Sequence, residues 1–517
     1  MTTLDLGNRH SRTVVGLGSD ATSKTVEIRA GALEDSQPAQ HLLVCLVNLL
    51  ARLHGSVSRI EIAVEGEFSV AVPQAVSSRN AFDALVEMAR WANGDRIPVA
   101  APTGAADIRI DLRSRASDDA DLYAWGAGWK AWVGNTPPTF TRSTDVDGCL
   151  GPYFAAAMLA AEVFKMSRGI VKGRQATDDA YSLWDGTVGL WGELEDGPSL
   201  RSLDMPALYL IGAGAVGQGL IQILGSSELS SGYVVTIDHD RHDDEGTNLN
   251  RCFLAGIDDI GGLKVDVVER FRKHTGLDGY EFKGKLTDYL PANKPGLRAD
   301  LADAERRDVF NLIVSAVDIN ESRQDIQGLR PSVIIGGSTD SLRAQATTYG
   351  LVDGAGCLSC LNPIGDSKMK AMAIEAELRA LSTDEQRERL LGKVSDLEAA
   401  LSYLSTQEPR CGQLGEAEVR NFASATSPEF SISFVSMAAA AMTAARLIAS
   451  IVDQKWCSQR AATSVFQFKS FAAAETTLAR RPNCQHCIGS DVATKLKPTA
   501  ASVQERWLVS AKPLFSQ

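Results

Sequence analysis

A chain of 517 residues with 44% hydrophobic content is long enough for roughly two to four domains and a sizeable core. Its net charge of −12 and lack of any basic run exclude a nucleic-acid backbone as principal partner, which would need clustered lysine and arginine. The opening MTTLDLGNRHSRT has no apolar signal core, and the apolar run Met437 to Val452 holds Arg446 and is too short for a bilayer, so a cytoplasmic protein without a membrane partner is expected.

In that setting the nine cysteines read as thiols, metal ligands or nucleophiles rather than disulfides. Residues 41 to 131 alternate by pattern: HLLVCLVNLLARL is a helix, with Cys45 as core packing, SRIEIAV a strand, NAFDALVEMARWAN a helix and ADIRIDL a strand. This is an α/β arrangement. YAWGAGWKAWVGNTPP reads as an aromatic, glycine-rich turn region, and GPYFAAAMLAAEVFKM, Gly151 to Met166, as a helix whose small side chains allow close packing.

The chemistry gathers further on. LYLIGAGAVGQGLIQIL joins a short apolar strand, Leu208 to Ile211, to a turn carrying Gly212, Gly214 and Gly217 and to a helix whose first amides can face a phosphate. The next strand, VVTID, ends in Asp238, 238 − 214 = 24 positions after the middle glycine, where a carboxylate can take a ribose hydroxyl. That much serves a dehydrogenase equally. NLNRC, Asn248 to Cys252, and Lys264 then add an amide and two cations for which hydride transfer has no use. An adenylyl transfer does need them, because charge develops on triphosphate oxygens as a carboxylate attacks the α-phosphorus. NLIVSAVDIN ends a further strand in Asp318, at the sheet edge where an acid can hold magnesium beside the same phosphates. Cys357-Leu-Ser-Cys360 and Cys484-Gln-His-Cys487 are two C-x2-C knuckles. Four thiolates at about 2.3 Å from one ion make a closed, structural zinc centre, the competing account being a dithiol switch.

The order of these motifs, with Lys264 at 264 − 251 = 13 residues beyond Arg251, resembles the adenylyltransferase superfamily that includes ThiF and the ubiquitin-activating enzymes, over about Ala207 to Cys487. The resemblance implies a Rossmann-like ThiF-type adenylation domain using ATP and magnesium. In it Asp238 holds the ribose, with Asp240 close by in a loop about two residues longer than the family's; Asn248, Arg251 and Lys264 handle phosphates, and Asp318 binds magnesium. It also implies that the alanine-rich helices at Gly151 to Met166 and Phe434 to Ile451 each close one lobe. Residues 1–185 then form a degenerate, inactive adenylation-like domain, an unrelated α/β domain being the alternative. Residues 186–490 form the active domain and 491–517 a tail.

In this family a partner arginine reaches the triphosphate. Arg12 or Arg9 in GNRHSRT is the candidate, against a solvated tail. The charged helical stretch Ser367 to Gln407 lies where the family carries its crossover and nucleophilic cysteine, so 361–427 reads as that insert, against a surface helical hairpin. Cys411, in EPRCGQLG beside Arg410, takes the acyl-accepting place, against an inert loop thiol. The implied function is adenylation of the C-terminal glycine of a ubiquitin-like protein, a thioester on Cys411 and hand-off to a conjugating enzyme, as in bacterial (Bil-type antiphage) conjugation operons. Activation of a sulfur-carrier protein for thiocarboxylate formation is the alternative, and a homodimer or an intrachain pseudo-dimer is expected.

Overall fold

The computed structural model describes residues 22–170, 178–292, 312–406 and 432–487, with 419 and 422, apart from 34–35, 74–75, 114–116, 143–147, 202, 230–231, 330, 353, 364–365, 392, 395, 483 and 485. Arg9, Arg12, Cys411 and the tail 491–517 lie outside the described residues.

The first half begins with β1 (Lys24–Ala32), α1 (Gln37–Leu50), β2 (Val57–Glu65), α2 (Ala81–Asn93), β3 (Val99–Ala100) and β4 (Ile108–Asp111). It continues with β5 (Leu122–Ala127), β6 (Lys130–Gly134), α3 (Leu150–Arg168), β7 (Asp179–Ser182) and β8 (Val188–Gly189). Local signals set these boundaries. Ser36 caps α1 by accepting from the Ala39 amide, Asn80 caps α2 by accepting from the Asp83 amide, and Gly94 ends α2 in the left-handed region at φ 65°. The stretch read from sequence as a turn region is a β-hairpin, β5 and β6, whose aromatics Tyr123, Trp125 and Trp132 share one buried face, Trp125 opposite Trp132 across the strands.

The second half runs β9 (Leu208–Ile211), α4 (Ala215–Gly225), β10 (Tyr233–Asp238), α5 (Lys264–Thr275), β11 (Asp278–Lys283), α6 (Leu286–Ala292), β12 (Leu312–Ser315) and α7 (Asn320–Gly328). Then come β13 (Val333–Asp340), β14 (Arg343–Tyr349) and α8 (Leu358–Leu361). Residues 362–429 form a compact unit of their own with α9 (Asp366–Ala380), α10 (Thr383–Leu390) and α11 (Leu397–Ser405), after which α12 (Ser433–Val452), α13 (Gln454–Gln459), β15 (Thr463–Gln467) and β16 (Ala472–Thr476) complete the second half.

The two sheets share one topology. The first is ordered β3-β2-β1-β4-β5-β6-β7-β8 and the second β11-β10-β9-β12-β13-β14-β15-β16, the same order displaced by eight strands. In each, the first five strands in that order are parallel and the rest antiparallel. Helices match too: α3 and α12 each sit between the sixth and seventh strands of their sheet.

One core joins the halves. α3 packs on α1 and α12, and α12 packs on α4 and α3, in a single buried cluster that includes Phe154, Phe164, Phe434 and Phe466. Phe164 meets Phe434 at 5.6 Å between ring centres, and Phe154 meets Phe466 edge-on at 5.1 Å. α12 is 20 residues long and apolar, long enough to cross a membrane by length alone, contrary to the shorter run read from sequence; 94% of its most apolar stretch is buried inside the protein, as a core helix is.

The outer faces differ. In the second sheet, Tyr209, Ile211, Ile237, Ile313 and Ile334 are covered by Leu286 and Tyr289 of α6, Ile326 of α7 and Leu358 of α8. In the first, the connections 101–107 and 112–121 hold no helix among the described residues, and outward positions carry charge instead of apolar groups. Arg29 and Arg109 pair with Glu27 at 2.7 and 3.8 Å, Arg59 with Glu61 at 3.2 Å, and Arg113 with Asp111 at 2.5 Å.

The helical unit 362–429 has its own core of Leu378, Leu390, Ala400, Leu401, Tyr403, Leu404, Val419 and Phe422. Arg379 of α9 donates to the carbonyls of Tyr403, Leu404 and Thr406, satisfying the C-terminal end of α11.

The start of α3 lies against the β5–β6 hairpin so closely that a Cβ on Gly126 would come within 2.5 Å of Gly151 backbone, and one on Gly151 would run into the Lys130 carbonyl. Gly151→Ala is expected to destabilise the protein by about 1–3 kcal/mol through overpacking, read as a lowered unfolding midpoint in denaturant.

Candidate nucleotide site and four-thiol centre

The glycine-rich turn is held by backbone geometry that other residues cannot copy. Gly212 has φ 101°, and a Cβ there would lie 2.7 Å from the Ala316 carbonyl oxygen at the end of β12. A Cβ on Gly217, in the first turn of α4, would strike the Gly212 carbonyl, whereas at Gly214 nothing lies within 4 Å. Gly214 faces open space at the N-terminus of α4, where unpaired amides and the helix dipole attract an anion.

Asp238 is buried at the end of β10, one strand in from the parallel edge of the sheet. Its Oδ2 accepts from the Ala213 amide at 2.6 Å and its Oδ1 from the Asp240 amide at 2.8 Å. Burial pushes its carboxyl up, partly offset by the Asp240 amide and the Lys264 ammonium. The carboxylate therefore ties the glycine turn to the following loop.

Lys264 is the first residue of α5, and its Nζ donates to Asp240 Oδ2 at 2.9 Å. Burial pulls its ammonium down, but the Asp240 hydrogen bond, with Cys252 and Asp238 nearby, outweighs it and the net direction is up. Burial works against ionisation of Asp240, yet Lys264 holds it below the usual carboxylate range. Asp240 and Lys264 form one ion pair at the mouth of the turn.

Asn248 to Arg251 lie in a short 3-10 turn and its C-terminal cap, Thr247–Asn250 followed by Arg251. Asp243, in the acidic loop the sequence singles out for its extra length, caps it: Oδ1 accepts from the Thr247 amide at 2.6 Å, and Oδ2 from the Thr247 hydroxyl at 2.6 Å and from Asn248 Nδ2. Asn248 Oδ1 in turn accepts from Arg251 Nη2 at 3.3 Å. Asn248 thus orients Arg251. Gln218 of α4 links this segment to the glycine turn, donating to the Ala213 carbonyl at 3.0 Å and accepting from the Leu254 amide at 3.2 Å.

Asp318 is exposed just past the carboxyl end of β12, two residues beyond Ala316, whose carbonyl abuts Gly212 and whose amide donates to Ile211 at 2.9 Å. An exposed acid there is free to meet a hydrated cation. Arg323, on α7, is a second cation near Asp318 that the sequence reading passed over; it donates to Asn320 at 2.8 Å, burial pulls its guanidinium down, and Asp318 opposes that. Its place one turn past a strand-end acid was the available signal.

The first half departs at these points. Its second strand ends in a carboxylate, Glu65, where the sequence reading placed no comparable acid, but Glu65 is exposed, and the sequence after the first strand carries no G-x-G-x-x-G. The bond from the Lys264 amide to the Asp240 carbonyl, at 3.0 Å, has its counterpart in Ala81 to Gly66 at 2.9 Å. Alanine and glycine stand where the second half has lysine and aspartate.

Cys357, Cys360, Cys484 and Cys487 come together, with sulfur atoms 3.7 Å apart for 357–360, 3.6 Å for 357–484 and 3.5 Å for 360–487. Tetrahedral zinc at about 2.3 Å from each sulfur would space them about 3.8 Å apart. The Arg481 amide donates to Cys360 Sγ at 3.4 Å, the kind of outer contact that steadies a thiolate ligand. The four thiols could hold zinc. Around them Gly356 donates to the Leu478 carbonyl at 2.7 Å, so the centre fastens the segment after β14 to the segment after β16.

Residues 193–487, more than half of the chain, match the model of the ThiF family. The chain is similar to the uncharacterized protein y4jF of Sinorhizobium fredii (strain NBRC 101917 / NGR234), 27% identical over 271 residues covering 51% of this chain and 48% of that protein, so it spans about half that relative's length. Among solved structures it is similar to E. coli MccB with succinimide, at 16% identity and TM-score 0.33 over 55% of this chain and 66% of that one. It is also similar to E. coli MccB with AMPCPP and selenomethionine MccA, at 17% identity and TM-score 0.32 over 55% and 66%.

Cys484→Ser is expected to lower both the thermal midpoint and the zinc content measured by atomic absorption; a stable variant without metal would contradict a structural zinc. Two buried histidines set an acid limit. His242, with neither ring nitrogen hydrogen-bonded among the described residues, and His41 are both held by burial at about 4. The unfolded imidazole titrates near 6.5, so as pH falls from there toward 4 the unfolded chain binds protons that the native one refuses. Stability is full above that window and drops by on the order of 3 kcal/mol per histidine at its lower end. The untitratable His242→Asn variant is expected to show a shallower fall in melting temperature between pH 6.5 and 4.5.

Proposed function

Because the chain belongs to the ThiF family, we propose that it is an ATP-dependent activating enzyme that adenylates the C-terminal glycine carboxylate of a ubiquitin-like protein. The observation that carries this reading is the shared frame of the glycine turn, Asp238, the Asp240–Lys264 pair and the Asn248-oriented Arg251. A dehydrogenase has use for the first two alone. Here two cations follow the ribose acid in the chain, Arg251 held by Asn248 and Lys264 paired with Asp240.

The reaction follows from that charge. ATP lies with its phosphates over Gly214, and Asp238 takes the ribose. The substrate carboxylate oxygen forms a bond to the α-phosphorus as the bond to the β-phosphate bridging oxygen breaks, and pyrophosphate leaves with the electron pair. Lys264 and Arg251 neutralise the charge that grows on it, in a low-dielectric setting where such donors count most. To do so, Lys264 exchanges Asp240 for phosphate. Asp318 would hold magnesium, which would supply further neutralisation of phosphate oxygens.

In the second step, the Cys411 thiolate attacks the acyl carbon, the bond to AMP breaks, and AMP leaves with its electrons, giving a thioester for a conjugating enzyme. What supports this part of the reading is sequence position: Cys411 falls within the span 362–429, a compact unit of its own. An antiphage conjugation operon is the setting this assignment fits. The first half serves as an inactive partner within the chain, consistent with Ala81 and Gly66 at the places of Lys264 and Asp240.

ATP–pyrophosphate exchange with a glycine-ended ubiquitin-like protein tests the reading. Lys264→Ala is expected to lower exchange by about 10²- to 10³-fold at an unchanged melting temperature. Cys411→Ala is expected to retain exchange and lose the thiol-sensitive adduct. Thiocarboxylate on the small protein, detected by mass spectrometry, would instead identify sulfur-carrier activation.

A further inference from the structure

The nucleotide-binding half does not hold its own phosphate segment alone. Arg52, just past α1 in the first half, is fully buried and donates to three main-chain carbonyls of the second half: Leu249 at 2.5 Å, Phe253 at 3.0 Å and Ala255 at 2.9 Å. Its Nε donates to Asn48 Oδ1 at 2.8 Å, and Asn48 Nδ2 reaches the Phe253 carbonyl at 3.4 Å. The guanidinium also lies 5.7 Å from the ring centre of Trp91, on α2, which approaches the chain where Gly256 has no side chain. Burial pulls its pKa to about 10, so the cation persists at neutral pH. Leu249 is inside the N-L-N-R turn and Phe253 and Ala255 follow it, so these bonds bracket Arg251 on both sides.

We propose that Arg52 is a positioning residue for adenylation: it fixes the Asn248–Arg251 segment through that segment's carbonyls, a contribution made by a half that carries Ala81 where the second carries Lys264. The inference rests on the nucleotide reading of that segment. A planar fork is required, because one donor group must reach three carbonyls spread over seven residues, 249 to 255; an ammonium ion is a point charge and spans fewer. Sequence gave no sign of it, since Arg52 and Leu249 are 197 positions apart.

The test uses the full chain. Arg52→Lys is expected to lower kcat of ATP–pyrophosphate exchange at least tenfold with KM for ATP changed less than threefold. Arg52→Ala, which leaves a guanidinium-sized space, is expected to recover exchange with millimolar guanidinium chloride but not with equal sodium chloride. Asn48→Ala, a milder change, is expected to give a smaller loss in the same direction. Cys252, buried within the segment, reports on it independently of activity: its labelling by a thiol reagent is expected to quicken in Arg52→Lys and Asn48→Ala. Wild-type labelling rates, or wild-type kcat, in a folded Arg52→Lys protein would overturn the proposal. An absence of exchange in the wild type with quickened Cys252 labelling in the variants would instead overturn the adenylation reading while leaving the clamp in place.

Discussion

Burial of α12 on every side is the constraint from which the rest of the architecture follows. Alanine and serine along this helix permit close approach of α4 on one flank and α3 on another, and its apolar surface has no other refuge. Two α/β halves with separate sheets thereby share one core and cannot separate without exposing it. This fusion is what lets a side chain of the first half serve as internal scaffold for the second.

The halves use their common topology differently. The second keeps helices on both faces of its sheet, which places strand ends, glycine turn and helix N-terminus at one edge, where ligands collect in such folds. The first holds no helix among the described residues where the crossover helices α6 and α7 would be, and its outward positions on β1, β2 and β4 are an arginine–carboxylate lattice. Glu61 and Asp111 are buried beneath half-exposed arginines. Removing a buried carboxylate's partner costs far more than the pair itself contributes, so this face is committed to its own pairing and has little left for a ligand. The first half retains the inner face, through which α1 and α2 touch the segment after Asn248.

The four-thiol centre acts at the opposite end of the second half's chain path. It closes a loop from residue 357 to residue 487, within which the helical unit 362–429 is inserted. A large insert between two core elements raises the entropy of the unfolded chain only slowly with length, but its entry and exit must be fixed if the sheet is to keep its register. β14 pairs with β15 across that insert, and the thiol cluster ties the chain at the insert's entry, Cys357 and Cys360, to the segment after β16.

Sequence by itself determined what depends on short spacing: the glycine turn and its helix, the carboxylate closing the second strand, the amide and cations beyond it, and each cysteine pair within one knuckle. These are legible because a turn, a strand end or a C-x2-C loop brings neighbours together by covalent reach alone. The hairpin at Leu122 to Gly134 escaped notice, since aromatic and glycine-rich runs look alike in strands and in turns until a partner strand is known. The tertiary structure alone decided the shared strand order, whose sequences differ in charge on one face, whereas the meeting of the two cysteine pairs across 127 positions answers what their paired C-x2-C spacing led the sequence analysis to expect. It alone placed Arg52 against the carbonyls of Leu249, Phe253 and Ala255, because main-chain acceptors have no sequence signature and the contact exists only once α1 and the N-L-N-R segment are buried in the same core.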